Sequence, residues 1–145
     1  MVDYQSDDLF PFPRDRVWKL LQDHTDDSRI GRIHPLIKQQ RTISRSGDSA
    51  VVERSIDARG RLLSSQWKYS FRRPDYLKWE IVGGTGPYAP GSFMENTYLE
   101  VPGGTRIRSR GQFKITVVPF FIPQRSVLTR VLDSIDSEDQ TYLRG

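Results

Sequence analysis

The chain has 145 residues, 36% hydrophobic, 11% aromatic and 28% charged, with a net charge of +4. That length fits a single domain over residues 1–145, and the aromatic residues in periodic runs argue against disorder. The lack of cysteine excludes disulfides, thiolate metal sites and cysteine nucleophiles, and no run of about 18 apolar residues offers a transmembrane helix.

The residues after Met1 (Val2-Asp3-Tyr4-Gln5-Ser6-Asp7-Asp8) lack the basic and apolar regions of a signal peptide, so a cytoplasmic protein is expected. Basic side chains outnumber acidic ones over residues 31–120, whereas both ends are acidic. A basic middle raises an anionic partner. Alternating Lys and Arg on strands, however, read as solvated faces that discourage edge pairing, so no nucleic-acid partner is expected.

The first ten residues read as one polar strand, ended by Phe10-Pro11-Phe12-Pro13. Pro13 suits a helix start, and Val17, Trp18, Leu20 and Leu21 recur at helical spacing up to about Asp23. Asp26-Asp27-Ser28 offers a second N-cap for a short helix carrying Ile30 and Ile33, weakened by Gly31 and ended by Pro35. From Leu36 to Val118 the period becomes two. Six strand candidates follow, marked by Ile37–Ile43, Val52–Ile56, Trp67–Phe71, Leu77–Ile81, Phe93–Val101 and Ile107–Ile115, joined by short turns. The segment from Gly83 to Gly91 reads as a mobile loop. After Pro123 helical spacing returns, with Val127, Leu128, Val131, Leu132, Ile135 and Tyr142 on one stripe. An amphipathic helix ending an antiparallel meander buries its stripe by crossing the concave face, and a cavity between the two is expected.

This order resembles the helix-grip fold of the START-related (SRPBCC) superfamily, which includes pollen-allergen-type ligand carriers, lipid-transfer proteins and polyketide cyclases/dehydrases. The residues that carry the resemblance are Pro13 through Asp23, similar to the family's first helix, and Leu99-x-Val101-Pro102-Gly103-Gly104-Thr105-Arg106, similar to its last hairpin. The fold class it implies is α+β. A curved antiparallel sheet of about seven strands has two short helices after strand 1 and a long C-terminal helix across its concave face. It also implies a pocket for a small hydrophobic ligand. The fold hosts carriers and enzymes alike, so it implies no particular reaction.

Alternation assigns polar side chains to inner faces: Glu95 beside Phe93 and Leu99, Arg54 between Val52 and Ile56, and Gln39 and Arg41 beside Ile37 and Ile43. Polar groups converging in an apolar pocket fix a ligand's orientation. Arg54 and Glu95 are therefore the expected anchors, with Gln39 and Arg41 as further contacts. Trp67, Tyr69 and Trp79 would line the pocket, and Thr97 and Ser109 would leave room beside Glu95. The first reading is a carrier or sensor of a lipid-, polyketide- or isoprenoid-like molecule. The second is a cyclase or dehydratase-like enzyme, with Glu95 as acid/base and Tyr69 or His34 orienting the substrate. A third is a lipid or quinone chaperone touching membranes through Phe120, Phe121 and Ile122.

No cofactor is expected. Gly83-Gly84-Thr85-Gly86 lacks the Gly-Lys-Ser/Thr ending of a phosphate loop. No metal is expected either, because His24 and His34 lie on different elements without a clustered carboxylate. Asp133, Asp136, Glu138 and Asp139 read as the solvated face of the last helix.

Overall fold

The computed structural model describes residues 1–58, 60–116 and 121–145. Seven strands form one antiparallel sheet: β1 (Val2–Phe10), β2 (Ile37–Ser46), β3 (Ser49–Ala58), β4 (Arg61–Arg72), β5 (Tyr76–Gly84), β6 (Phe93–Val101) and β7 (Gly104–Phe113). Their spatial order is β1-β7-β6-β5-β4-β3-β2, a meander closed on one side by the first strand. Between β1 and β2 stand the short helices α1 (Arg14–Asp23) and α2 (Ile30–Ile33), and α3 (Gln124–Arg144) ends the chain. The expected α+β helix-grip architecture is what the chain adopts.

The polar first strand holds because its outward side chains find partners on β7. Register runs from Val2 opposite Phe113 to Phe10 opposite Thr105. Asp7 bonds Arg106 at 2.8 Å, and Asp3 accepts from Gln112 at 2.9 Å. Its other face, with Tyr4 and Phe10, turns inward. A strand poor in apolar residues is thus stabilised by cross-strand pairs.

The core joins the inner face of the sheet to the stripes of α1 and α3. Val17, Trp18, Leu20 and Leu21 of α1 pack with Leu128, Leu132 and Leu143 of α3. Trp18 stands edge-on to both Phe71 and Tyr98 with ring centroids 6.0 Å apart, a favoured aromatic geometry. Polar ties fix the helices to each other: Asp23 accepts from the Tyr142 hydroxyl at 3.1 Å, and Arg16 donates to the Leu143 carbonyl.

The segment after Gly84 is tied down rather than loose. Tyr88 bridges to Ile115 and is buried, Ala89 N–H donates to the Lys114 carbonyl, and Thr116 N–H donates to that of Pro87. A glycine- and proline-rich composition signalled the turns but not the aromatic anchor among them.

Candidate functional site

A cavity of about 360 Å³ lies between the sheet and α3. The sheet contributes Arg54 and Ile56 of β3, Trp67 and Tyr69 of β4, and Trp79 of β5. Helix α3 contributes Arg130, Val131, Ser134, Ile135 and Glu138. His24, His34, Ile37 and Tyr88 close the ends. A second space of about 80 Å³ lies on the other side of Trp79 and Ile135, bordered by Tyr4, Asn96, Ser109, Asp136 and Asp139. Volumes of roughly 300–1,000 Å³ are usual for small-molecule sites, so the larger space suits a compact ligand.

Arg54 sits where alternation puts it, on the inner face, and is 3% exposed. Burying a guanidinium requires partners. Its Nε donates to Gln40 Oε1 at 2.6 Å and its Nη2 to the His24 carbonyl at 2.8 Å. The charge also lies over the rings of Trp67 (4.7 Å) and Tyr69 (5.1 Å), which supply cation–π attraction. Burial pushes the Tyr69 hydroxyl above its usual range, opposed by the Arg54 charge and hydrogen bond. Trp67 Nε1 donates to Ser65 Oγ at 2.8 Å, a buried bond that fixes the indole in the cavity wall. Trp79 stacks tilted against Trp67 with centroids 4.7 Å apart.

Four expected pocket residues point away from the interior. Glu95 and Thr97 lie on the convex face, because β6 takes the opposite phase: Met94 and Tyr98 are buried, and Trp79, which faces inward, is opposite Met94. Glu95 bonds Arg110 at 2.7 Å on the outer surface, and that hydrogen bond leads the effects that hold its carboxyl below the usual range. Both phases of β6 carry apolar residues, and Phe93 is accommodated outside under Lys78 Nζ at 5.1 Å. Gln39 and Arg41 are exposed as well. An irregularity between Ile37 and Gln39 shifts the register of β2, so Gln40 rather than its neighbours reaches Arg54. A bulge of one residue reverses every side chain beyond it. Ser109 does point inward, but into the smaller space.

The histidines are not isolated. His24 caps the C-terminus of α1 and His34 that of α2, and Asp139 reaches them from α3. Asp139 Oδ1 lies 2.9 Å from His24 Nε2 and 3.1 Å from His34 Nε2. His34 Nδ1 faces Glu138 Oε1 at 3.4 Å. Burial lowers the His24 pKa, opposed by the Asp139 charge. Burial works against ionisation of Asp139, yet the neighbouring imidazoles, His24 first, hold its carboxyl below the usual range. The expectation that no carboxylate clusters with the histidines is therefore corrected, as is the solvated reading of Asp139. The signal was present in the spacing: Leu128, Leu132, Asp139 and Leu143 share one helical stripe.

Of the proposed membrane-touching residues, Phe120 lies outside the described residues. Phe121 and Ile122 are exposed, and Arg125 donates to the Asp3 carbonyl at 2.9 Å. Among the described residues no helix is long and apolar enough to cross a membrane.

This architecture is the helix-grip fold, the α+β class in which a curved sheet wraps a long terminal helix. Solved structures with the same fold include Ara h 8.0201, 15% identical, TM-score 0.74, with 98% of this chain and 97% of that one aligned. The aromatase/cyclase ZhuI from Streptomyces sp. R1128 is 14% identical, TM-score 0.72, aligned over 98% of this chain and 90% of that one. The di-domain aromatase/cyclase StfQ of steffimycin biosynthesis is 12% identical, TM-score 0.78, with 98% of this chain aligned to 49% of that one. No family model matches the sequence. No curated protein matches it either.

Proposed function

We propose that this protein binds one compact, largely apolar molecule with a polar end in the cavity between the sheet and α3. The observation that carries this reading is the wall itself: Ile56, Trp67, Trp79, Tyr88, Val131 and Ile135 surround the space, and Arg54 with His34 supplies polar groups at one side. An apolar lining with a few convergent polar groups is the ordinary construction of a small-molecule site. Arg54 directs N–H donors to Gln40, the His24 carbonyl and the Tyr69 hydroxyl, and a guanidinium has five, so it retains donors for a ligand oxygen. The structural relatives support the same direction, since two of them are aromatase/cyclases by description. A catalytic version would draw its acid or base from the cavity wall, where His34, Tyr69 and Glu138 stand, and not from Glu95.

Displacement of an environment-sensitive apolar fluorophore by a panel of small aromatic and isoprenoid-like acids tests the reading. Binding is expected for the wild type and a fall of at least about tenfold for Val131→Trp and Ile135→Trp, whose indoles would fill the space. Circular dichroism should remain native in both. A wild type that binds no member of the panel, or variants that bind as well as it does, would overturn the proposal.

A further inference from the structure

We propose that His24, His34 and Asp139 form a binding site for one divalent transition-metal ion at the wall of the cavity. Three separate elements deliver these side chains, and their ligating atoms all lie within 4.8 Å of one another. The side chains are 12%, 11% and 10% exposed, so the cluster is nearly closed to solvent.

The distances suit a shared ion. Bonds of roughly 2.0–2.2 Å from a metal to imidazole nitrogen and carboxylate oxygen span the observed 2.9 and 3.1 Å edges at angles of about 90°. That places each nitrogen beside the oxygen in one coordination sphere, with the two nitrogens within 4.8 Å of each other and other positions left open. Both rings border the 360 Å³ cavity, so an open position there is accessible to whatever the cavity holds.

One tautomer of His34 leaves a lone pair free for a cation between these groups. His34 presents both ring nitrogens to carboxylates, Nδ1 to Glu138 and Nε2 to Asp139. A neutral imidazole has only one N–H. With the proton on Nδ1 donated to Glu138, the Nε2 lone pair meets the lone pairs of Asp139 Oδ1. A cation bound by both atoms removes that repulsion. The competing solutions are the other neutral tautomer, with Nε2–H donated to Asp139 Oδ1, and an imidazolium.

The surroundings hold the ligands in place. Glu138 stands behind His34 as the carboxylate that orients a ligating imidazole. Arg54 and Gln40 grip the His24 carbonyl at 2.8 and 3.2 Å and fix the end of α1 against the sheet. Two imidazoles with one carboxylate and no thiolate suit zinc, iron(II), cobalt(II) or manganese(II) better than calcium or magnesium.

The test is calorimetric titration of chelator-treated, dialysed protein with zinc(II), together with the visible ligand-field spectrum after cobalt(II) addition. One ion per chain with a micromolar or tighter Kd is expected, together with a rise in thermal midpoint on zinc addition. His34→Gln and Asp139→Asn should each weaken zinc binding at least tenfold, whereas Glu95→Gln, on the convex face, should not. Should Asp139→Asn fail to fold, His34→Gln and the wild-type cobalt spectrum decide. Millimolar wild-type binding, or binding unchanged in His34→Gln, would overturn the site and leave a histidine–carboxylate hydrogen-bonded cluster in its place. The fluorophore displacement assay is independent, so failure there does not bear on this site.

Discussion

Arg54 Nη2 donates to the backbone carbonyl of His24 at 2.8 Å, joining β3 to the end of α1 across 30 residues of sequence. The same corner is held by Arg45, whose Nη2 donates to the Thr25 carbonyl at 2.9 Å, and by Asp27, which accepts from the Thr42 N–H at 2.8 Å. The helical insertion is therefore attached to the β2–β3 hairpin through carbonyls and a carboxylate rather than through apolar packing alone. That attachment puts His24 at the cavity wall.

Replacing Arg54 with Met keeps much of the stem but removes every N–H donor. Gln40 Oε1 then loses its partner, at about 1–3 kcal/mol where water cannot replace it, and the His24 carbonyl is left with Gln40 Nε2 alone, at about 0.5–1.5 kcal/mol for the bond lost. Urea denaturation should show a loss of about 2–4 kcal/mol, less any gain from no longer burying a charge. Arg54→Lys should recover part of the stability, yet not the fork that serves Gln40 and His24 together. Equal stability of Arg54→Met and wild type would show the corner is held by other contacts.

The sequence made the order of elements and the inner faces of β3, β4, β5 and β7 legible, because in those strands one phase is clearly apolar. In β6 both phases carry large side chains, Phe93 and Leu99 against Met94 and Tyr98, and only pairing with β5 chooses between them. In β2 the irregularity near Lys38 has no compositional mark, so Gln40 was hidden behind Gln39 and Arg41. The clustered histidines were visible as residues but not as neighbours. Their meeting depends on how α1 and α2 fold back against α3, a long-range contact outside the reach of local spacing.

Glu95→Gln separates the two phases of β6 directly. On the convex face its ion pair with Arg110 is largely solvated, and such pairs contribute about 0–1 kcal/mol. Apolar-probe affinity should match wild type, with stability changed by less than about 1 kcal/mol. The Arg110 hydrogen bond first, and then its charge, hold the Glu95 carboxyl low, so the small contribution present above the unfolded pKa should fade on acidification. A large loss of cavity binding in this variant would mean Glu95 faces inward after all.

Gly111 shows how tightly β6 and β7 are built together. A Cβ placed there would stand 2.3 Å from the Phe93 carbonyl oxygen and 2.9 Å from Phe113 Cε2. The first neighbour is backbone, so relief requires β6 and β7 to shift. Gly111→Ala should cost about 1–3 kcal/mol, the range for overpacking a well-filled interior. Thermal unfolding unchanged from wild type would show that the strands part more easily than this geometry allows.

Asp136 provides a pH signature distinct from that of the histidine cluster. It lies on α3 beside the smaller space, and burial, followed by the charges of Asp139, Asp8 and Asp133, raises its pKa to about 7. Asn96 Oδ1, buried without a hydrogen-bond partner, faces that space as well. With a raised folded pKa, the native state holds this proton while the unfolded chain releases it near 3.8. Its contribution is complete below about pH 4 and is lost as pH rises towards 7. His24 works in the opposite direction: its lowered pKa makes the native state the weaker proton binder, so protonation of the unfolded chain costs stability on acidification. The two trends overlap in wild type, and the difference between Asp136→Asn and wild type isolates the first. That difference should grow from pH 4 to pH 7 in favour of the variant, reaching about 1–2 kcal/mol after allowance for partial exposure, and then level off. Urea midpoints measured at half-unit pH steps read it directly. A flat difference across this range would mean that Asp136 ionises in the folded protein as it does in the unfolded chain.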